Sequence, residues 1–142
     1  MAIAQAVCNS FKQQILEGVH NFATGGNTFK LSLYTSATNL SASTTVYTST
    51  NEVTATGQYS AGGGVLTGQL TSLDTGVAIV DFADLSFTGV TLTAAGALIY
   101  NTSASNKAVC ALSFGGDKTA TAGTFTIVFP AFTSANAILR IS

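Results

Sequence analysis

From Phe29 to the end of the chain, apolar residues fall on alternate positions in one run after another. Phe29, Leu31 and Leu33 share one side of the first run, with Lys30, Ser32 and Tyr34 on the other. Ala108, Cys110, Leu112 and Phe114 make a second, and Phe125, Ile127 and Phe129 a third. Ala137, Leu139 and Ile141 make the last, with Ile138 and Arg140 opposite. A period of two belongs to a pleated strand with one face in a core, and no helix keeps such a set on one side. Glycine, serine and threonine clusters separate the runs, which predicts eight or so short strands. The expected fold class is all-β: a jelly-roll-like antiparallel β-sandwich with a short N-terminal α-helix. Its predicted core includes Phe82, Leu112, Phe114, Phe125, Ile127 and Leu139.

The helix is expected because the first residues follow another rule. Ile3, Val7, Phe11, Ile15 and Val19 recur every four positions, with Gln5, Lys12, Gln13 and Glu17 between them. That is an amphipathic helical stripe, and Gly18 supplies a stop. Residues 1–22 therefore read as an amphipathic helix or arm, and residues 23–142 as a single β-sandwich domain. The stripe serves either to close one side of the core or to reach a partner. In the second case Phe11, Ile15, Val19 and Phe22 are the contact residues.

Residues 35–64 are rich in Thr, Ser and Gly and read as a long excursion with one short strand. Strands are expected at residues 65–70 and 77–82, with Asp74, Thr75 and Gly76 making the turn. Leu85 and Phe87 then fall on odd positions, but Val90 and Leu92 on even ones. A strand cannot change phase without turning its apolar face to water, so a bulge or bend belongs at Gly89. Thr88, Thr91 and Thr93 supply an exposed, uncharged face. A further strand is expected at residues 96–100, "GGDKTATAG" is expected to be a long turn, and Pro130 ends the strand before it.

Those threonines matter because charge is scarce. Only 8% of the 142 residues are charged, with a net charge of −1, against roughly 25% charged in ordinary globular proteins. No basic residue lies between Lys30 and Lys107, which excludes a cationic stripe for nucleic acid. No apolar run approaches the ~18 residues of a membrane helix, and with no Trp and an uncharged start, "MAIAQAV", an outer-membrane barrel is not expected either. Cys8 and Cys110 are too few and too far apart for a disulfide framework or a zinc site, and read as small buried groups in a reducing compartment.

Reaction chemistry finds little footing. His20 is the only histidine, so Ser-His-Asp hydrolysis would rest on it entirely, and a cupin-type metal site lacks its ligands. Asp81 and Asp84 resemble a glycosidase carboxylate pair but sit three residues apart at a strand end, where turn chemistry explains Asp84 equally well. Asp74, Asp81 and Asp84 could together hold calcium on loop oxygens. "FGGDKT" lacks the spacing of a phosphate-binding loop. No enzyme activity, metal or cofactor is expected. A surface this poor in charge suits a protein whose working state is an assembly.

The order of segments carries a resemblance. "FKLSLYTSATNLSASTTVYTSTNEVTATGQYSAGG", "VDFAD", "GALIYN", "KAVCALSFGGDKTATAGTFTIVFP" and "NAILRIS", in that order, resemble a family of small structural proteins of tailed bacteriophages. Its better-understood members resemble capsid cement, or decoration, proteins: jelly-roll sandwiches attached outside the major capsid shell. The resemblance implies a capsid-exterior protein assembled in the host cytoplasm. Its implied partners are the major capsid protein and copies of itself as a dimer or trimer, with no nucleic acid and no membrane. Members often carry a basic residue just before "GALIYN", where this chain has Ala95, so Ala95 and Arg140 join the candidate contact residues. Two alternatives are a head–tail joining or tail component, and a sugar-binding sandwich of a receptor-recognition fibre using Tyr34, Tyr47, Tyr59 and Tyr100 as platforms.

Overall fold

The structure, a computed structural model, describes residues 3–142. Two antiparallel sheets pack together with one short helix, so the chain is an all-β sandwich. The larger sheet has the order β1 (Ala6–Val7), β7 (Lys107–Ile127), β6 (Leu85–Asn101), β2 (Phe29–Tyr34) and β3 (Gly64–Val65). The smaller sheet has the order β4 (Leu70–Asp74), β5 (Val77–Asp81) and β8 (Leu139–Ile141). No helix among the described residues is long and apolar enough to cross a membrane.

The helix is shorter than its stripe. α1 spans Asn9–Leu16, while Ala6 and Val7 are extended and pair with Ala111 and Cys110. Ile3 and Val7 thus lie outside the helix, Val7 in β1, and their spacing is helical only by coincidence with the positions that follow. Cys8 holds the junction: its N–H donates to Val109 O, and its own backbone is extended. Both cysteines are buried and free. Burial pushes the Cys8 thiol up to about 11 and the Cys110 thiol up to about 12, which leaves them unreactive at neutral pH. Residues 3–22 are not a detached arm, because Phe22 stacks on Phe29 at 4.4 Å and meets Phe11 edge-on at 5.9 Å.

Strand β2 departs from simple alternation. Ser32 and Tyr34 are as buried as Leu31 and Leu33, because residues 35–64 fold back over that face. As far as Gly63 this segment forms only isolated bridges (Tyr34 with Glu52, Val46 with Lys107, Thr56 with Tyr59), yet it buries Leu40, Val53 and Tyr59. It is a covering layer. The strand expected at residues 65–70 is instead split into β3 and β4.

The expected strands on either side of Gly89 merge into β6, a single element of 17 residues. The register shifts between Phe87 and Val90, and Gly89 has a φ of 64°, so the phase change is taken up by a bulge. Phe87, Val90 and Leu92 accordingly all stay buried while Thr88, Thr91 and Thr93 face outward. The long turn expected at "GGDKTATAG" does not exist. That segment runs inside β7 and pairs with β6, with Lys118 opposite Ala94 and Gly123 opposite Val90. Gly115 and Gly116, both at positive φ, lie where the register between Ser113 and Lys118 slips, so they make a bulge rather than a reversal. The reversal lies at residues 102–106, where Asn101 Oδ1 accepts from Ser103 N–H and Ser105 and Asn106 adopt positive φ. Among the predicted core residues, Phe82, Phe125, Ile127 and Leu139 are buried, and Leu112 and Phe114 are half-buried.

Candidate functional site

Cross-strand pairing puts Thr71, Val80 and Leu139 in one row of the smaller sheet, and Leu73, Ala78 and Ile141 in the next row on the same face. Leu139 is buried and Val80 packs on the core, so the first row turns inward, while Ile79 is buried on the other face. The second row overshoots its cover: Leu73 is 72% and Ile141 60% exposed. Opposite stands α1, with Ile15 half-buried and Leu16 89% exposed. Between them lies a groove of about 740 Å³, within the size range of ordinary ligand and partner clefts. Its lining is mostly apolar, and Lys12 and Arg140 are the charged residues in it.

Four of the six candidate contact residues line this groove: Phe11, Ile15, Phe22 and Arg140. They do not contribute equally. Phe11 and Phe22 are each 5% exposed and hold the groove's floor from within the core, so they are not free contact residues. Arg140 is exposed, and its guanidinium donates to Ser134 O at 3.1 Å. Val19 is half-buried and outside the groove lining. Ala95 is buried within β6, where the register with β7 shifts, and offers little surface to a partner.

His20 lines the groove's floor beside Phe11 and Phe22 and is held there structurally. Its ring packs against Phe11 at 4.8 Å, and it is 5% exposed. Asn101 Nδ2 lies 3.0 Å from His20 Nδ1, and Gln14 Oε1 lies 2.8 Å from Nε2. The amide must donate to Nδ1, so the proton is assigned to Nε2, which donates to Gln14. Burial, reinforced by the positive charge of Lys107, lowers the His20 pKa to about 4. A depressed histidine pKa means that the unfolded chain takes up a proton that the folded one refuses. Stability is therefore intact above the ordinary value near 6.5 and is lost as pH falls toward 4, by ~2–3 kcal/mol. Replacing His20 with Phe should lower stability at pH 7 yet flatten that acid limb by one proton. Chemical denaturation across that range checks it, and an unchanged slope would refute the assignment.

The four tyrosines are not surface platforms. Tyr34, Tyr59 and Tyr100 are at most 2% exposed, and Tyr47 stacks on Tyr100 at 4.8 Å. They gather around Glu52, the one acidic residue between Glu17 and Asp74. Glu52 Oε1 accepts a short hydrogen bond from Tyr47 Oη, and Oε2 accepts from Tyr59 Oη and from Gly62 N–H, both at 2.7 Å. Tyr59 Oη in turn accepts from Leu33 N–H at 2.7 Å, and Tyr100 Oη donates to Gly62 O. Sequence reasoning missed this cluster. Its one signal was a lone carboxylate in an uncharged segment flanked by two tyrosines.

The aspartates are occupied locally. Asp84 Oδ1 accepts from Phe129 N–H at 2.9 Å, and Asp74 Oδ2 accepts from Ser134 N–H at 2.7 Å. Among the described residues no three His, Cys, Asp or Glu side chains are grouped to hold a metal ion. Elsewhere the exposed β6–β7 face is a hydroxyl ladder: Ser86 meets Thr126, and Thr93 meets Thr119, each at 2.9 Å.

No protein-family model, curated protein or solved structure matches this chain.

Proposed function

We propose that this chain is a structural protein of a tailed-bacteriophage virion, a cement or decoration protein bound outside the major capsid shell. The observation that carries the reading is the groove between α1 and the smaller sheet. There Leu16 and Ile141, with Leu73 exposed on the strand beyond, leave apolar surface uncovered on a chain with too few charges to keep copies and partners apart. The collinear order of its segments supports the same assignment. The internal use of all four tyrosines removes the aromatic platforms that a sugar-binding fibre module needs.

Attachment through such a surface depends on apolar burial and hydroxyl contacts, with few ion pairs. Exposed ion pairs are screened within ~8–10 Å at ordinary ionic strength and within roughly 3 Å at about 1 M salt. Apolar burial is not weakened in that way. Purified virions washed from low to about 1 M sodium chloride should therefore keep their full complement of the protein. Quantitative gel analysis counts the retained copies, and stripping by salt alone would show an electrostatic attachment. Locating and counting the protein in a virion map tests the assignment itself: hundreds of copies on the shell mark a cement protein, and a ring of about a dozen marks a joining component.

A further inference from the structure

Among the described residues four strands close the two sheets, and three of these carry a recognised protection against strand addition; the stretch of β6 and β7 that runs past them is broken by bulges and carries Asp117 and Lys118. β1 and β3 are two residues long, and β8 is three residues long with Arg140 at its centre. Short strands and a central cation both discourage pairing with another chain. β4 has neither. It is five residues, Leu-Thr-Ser-Leu-Asp, with its only charge at the end, four of the five exposed, and β5 as its only paired neighbour.

We propose that β4 pairs antiparallel with β4 of a second copy about a two-fold axis at Ser72, joining two smaller sheets into one of six strands. The backbone is already set for it. The β4–β5 hairpin turns through Thr75 and Gly76, both at positive φ, so Asp74 and Val77 form the closing hydrogen-bonded pair. By alternation Leu70, Ser72 and Asp74 bond to β5, while Thr71 and Leu73 direct their N–H and C=O groups to the open side. Centring the pair on Ser72 sets Thr71 opposite Leu73 of the second copy, a hydrogen-bonded pair on each side of the axis.

Charge agrees with this register. Asp74 faces Leu70 of the second copy, and the two carboxylates lie at opposite ends. At the β8 edge the corresponding two-fold pairing would set Arg140 against Arg140. The apolar row also becomes continuous, because Leu73 shares a face with Ala78 and Ile141 and gains Thr71 of the second copy beside it. This inference stands independently of the capsid reading.

The test is sedimentation equilibrium of the purified chain, with Thr71→Pro, Leu73→Lys and Arg140→Ala beside it. Thr71→Pro removes only an outward donor and leaves the bonds to β5 intact. The expected result is a concentration-dependent dimer with Kd in the micromolar range, weakened at least about tenfold by either β4 substitution and unchanged by Arg140→Ala. The amides of Thr71 and Leu73 should exchange more slowly in the dimer. Circular dichroism establishes that each variant is folded, and Leu73→Lys, at an exposed position, decides the matter if Thr71→Pro is not. A monomer at all concentrations, a trimer, or a dimer indifferent to the β4 substitutions would overturn the proposal.

Discussion

Phe29→Ala is expected to cost ~3–5 kcal/mol, a large part of the 5–15 kcal/mol available to a domain of this size. Phe29 has no exposed surface and stands where the N-terminal segment, the larger sheet and the strand end at Phe82 converge. Its ring stacks on Phe22 at 4.4 Å, meets Phe82 edge-on at 5.8 Å and lies 6.5 Å from His20. Removing it leaves a cavity walled by two aromatic rings that are themselves held in place. Phe22 is fixed against Phe11, and Phe82 against Phe129 at 6.2 Å, so collapse into the space is restricted. Where a site cannot collapse, the cavity penalty adds to the lost transfer free energy. Leu at this position should recover part of the loss. Urea denaturation measures both, and a loss under about 1 kcal/mol for Ala would mean that the aromatic cluster is not the centre of the core.

Glu52→Ala is expected to cost ~3–5 kcal/mol. The carboxylate accepts from Tyr47 Oη, Tyr59 Oη and Gly62 N–H. Hydrogen bonds to a charged group are worth ~1.5–3 kcal/mol each, and the donors left behind keep their desolvation cost. Gln should be milder, at ~1–2 kcal/mol. Its amide oxygen can serve Tyr59 and Gly62, and Tyr47 can rotate its hydroxyl to accept from the new NH₂. Equal losses for Ala and Gln would show that the network is not organised around the carboxylate.

The same cluster sets the behaviour in alkali. Burial pushes the Tyr34 hydroxyl up to about 12, and burial with the Glu52 charge pushes Tyr100 up to about 12. Tyr47 and Tyr59 are raised as well, chiefly by burial and then by their contacts with Glu52. A tyrosine whose folded pKa exceeds the unfolded value near 10 contributes stability that is whole below pH ~10 and lost as pH rises toward 12. Tyrosinate absorbance should therefore appear together with unfolding in one cooperative step.

Much of this architecture was legible in the residues. Local alternation determined the strand character of β2, β7 and β8, because a one-residue slip would turn every apolar side chain to water. The phase change at Gly89 was likewise legible, since a bulge is the local remedy for a broken period. The uncharged threonine face also followed from residue type alone. What the tertiary structure decided were matters of partnership. Whether "GGDKTATAG" reverses or continues depends on β6 being long enough to pair with it, and glycine permits either a turn or a bulge. Whether Ser32 and Tyr34 face water depends on residues 35–64, whose Thr- and Ser-rich composition conceals a covering layer tied down through Glu52. Phe11 and Phe22 look like a helical contact stripe in sequence, but the open side of the sandwich draws them inward and leaves Leu16, Leu73 and Ile141 outside. Periodicity reports which side of an element is apolar; only the arrangement of the other elements decides whether that side is covered.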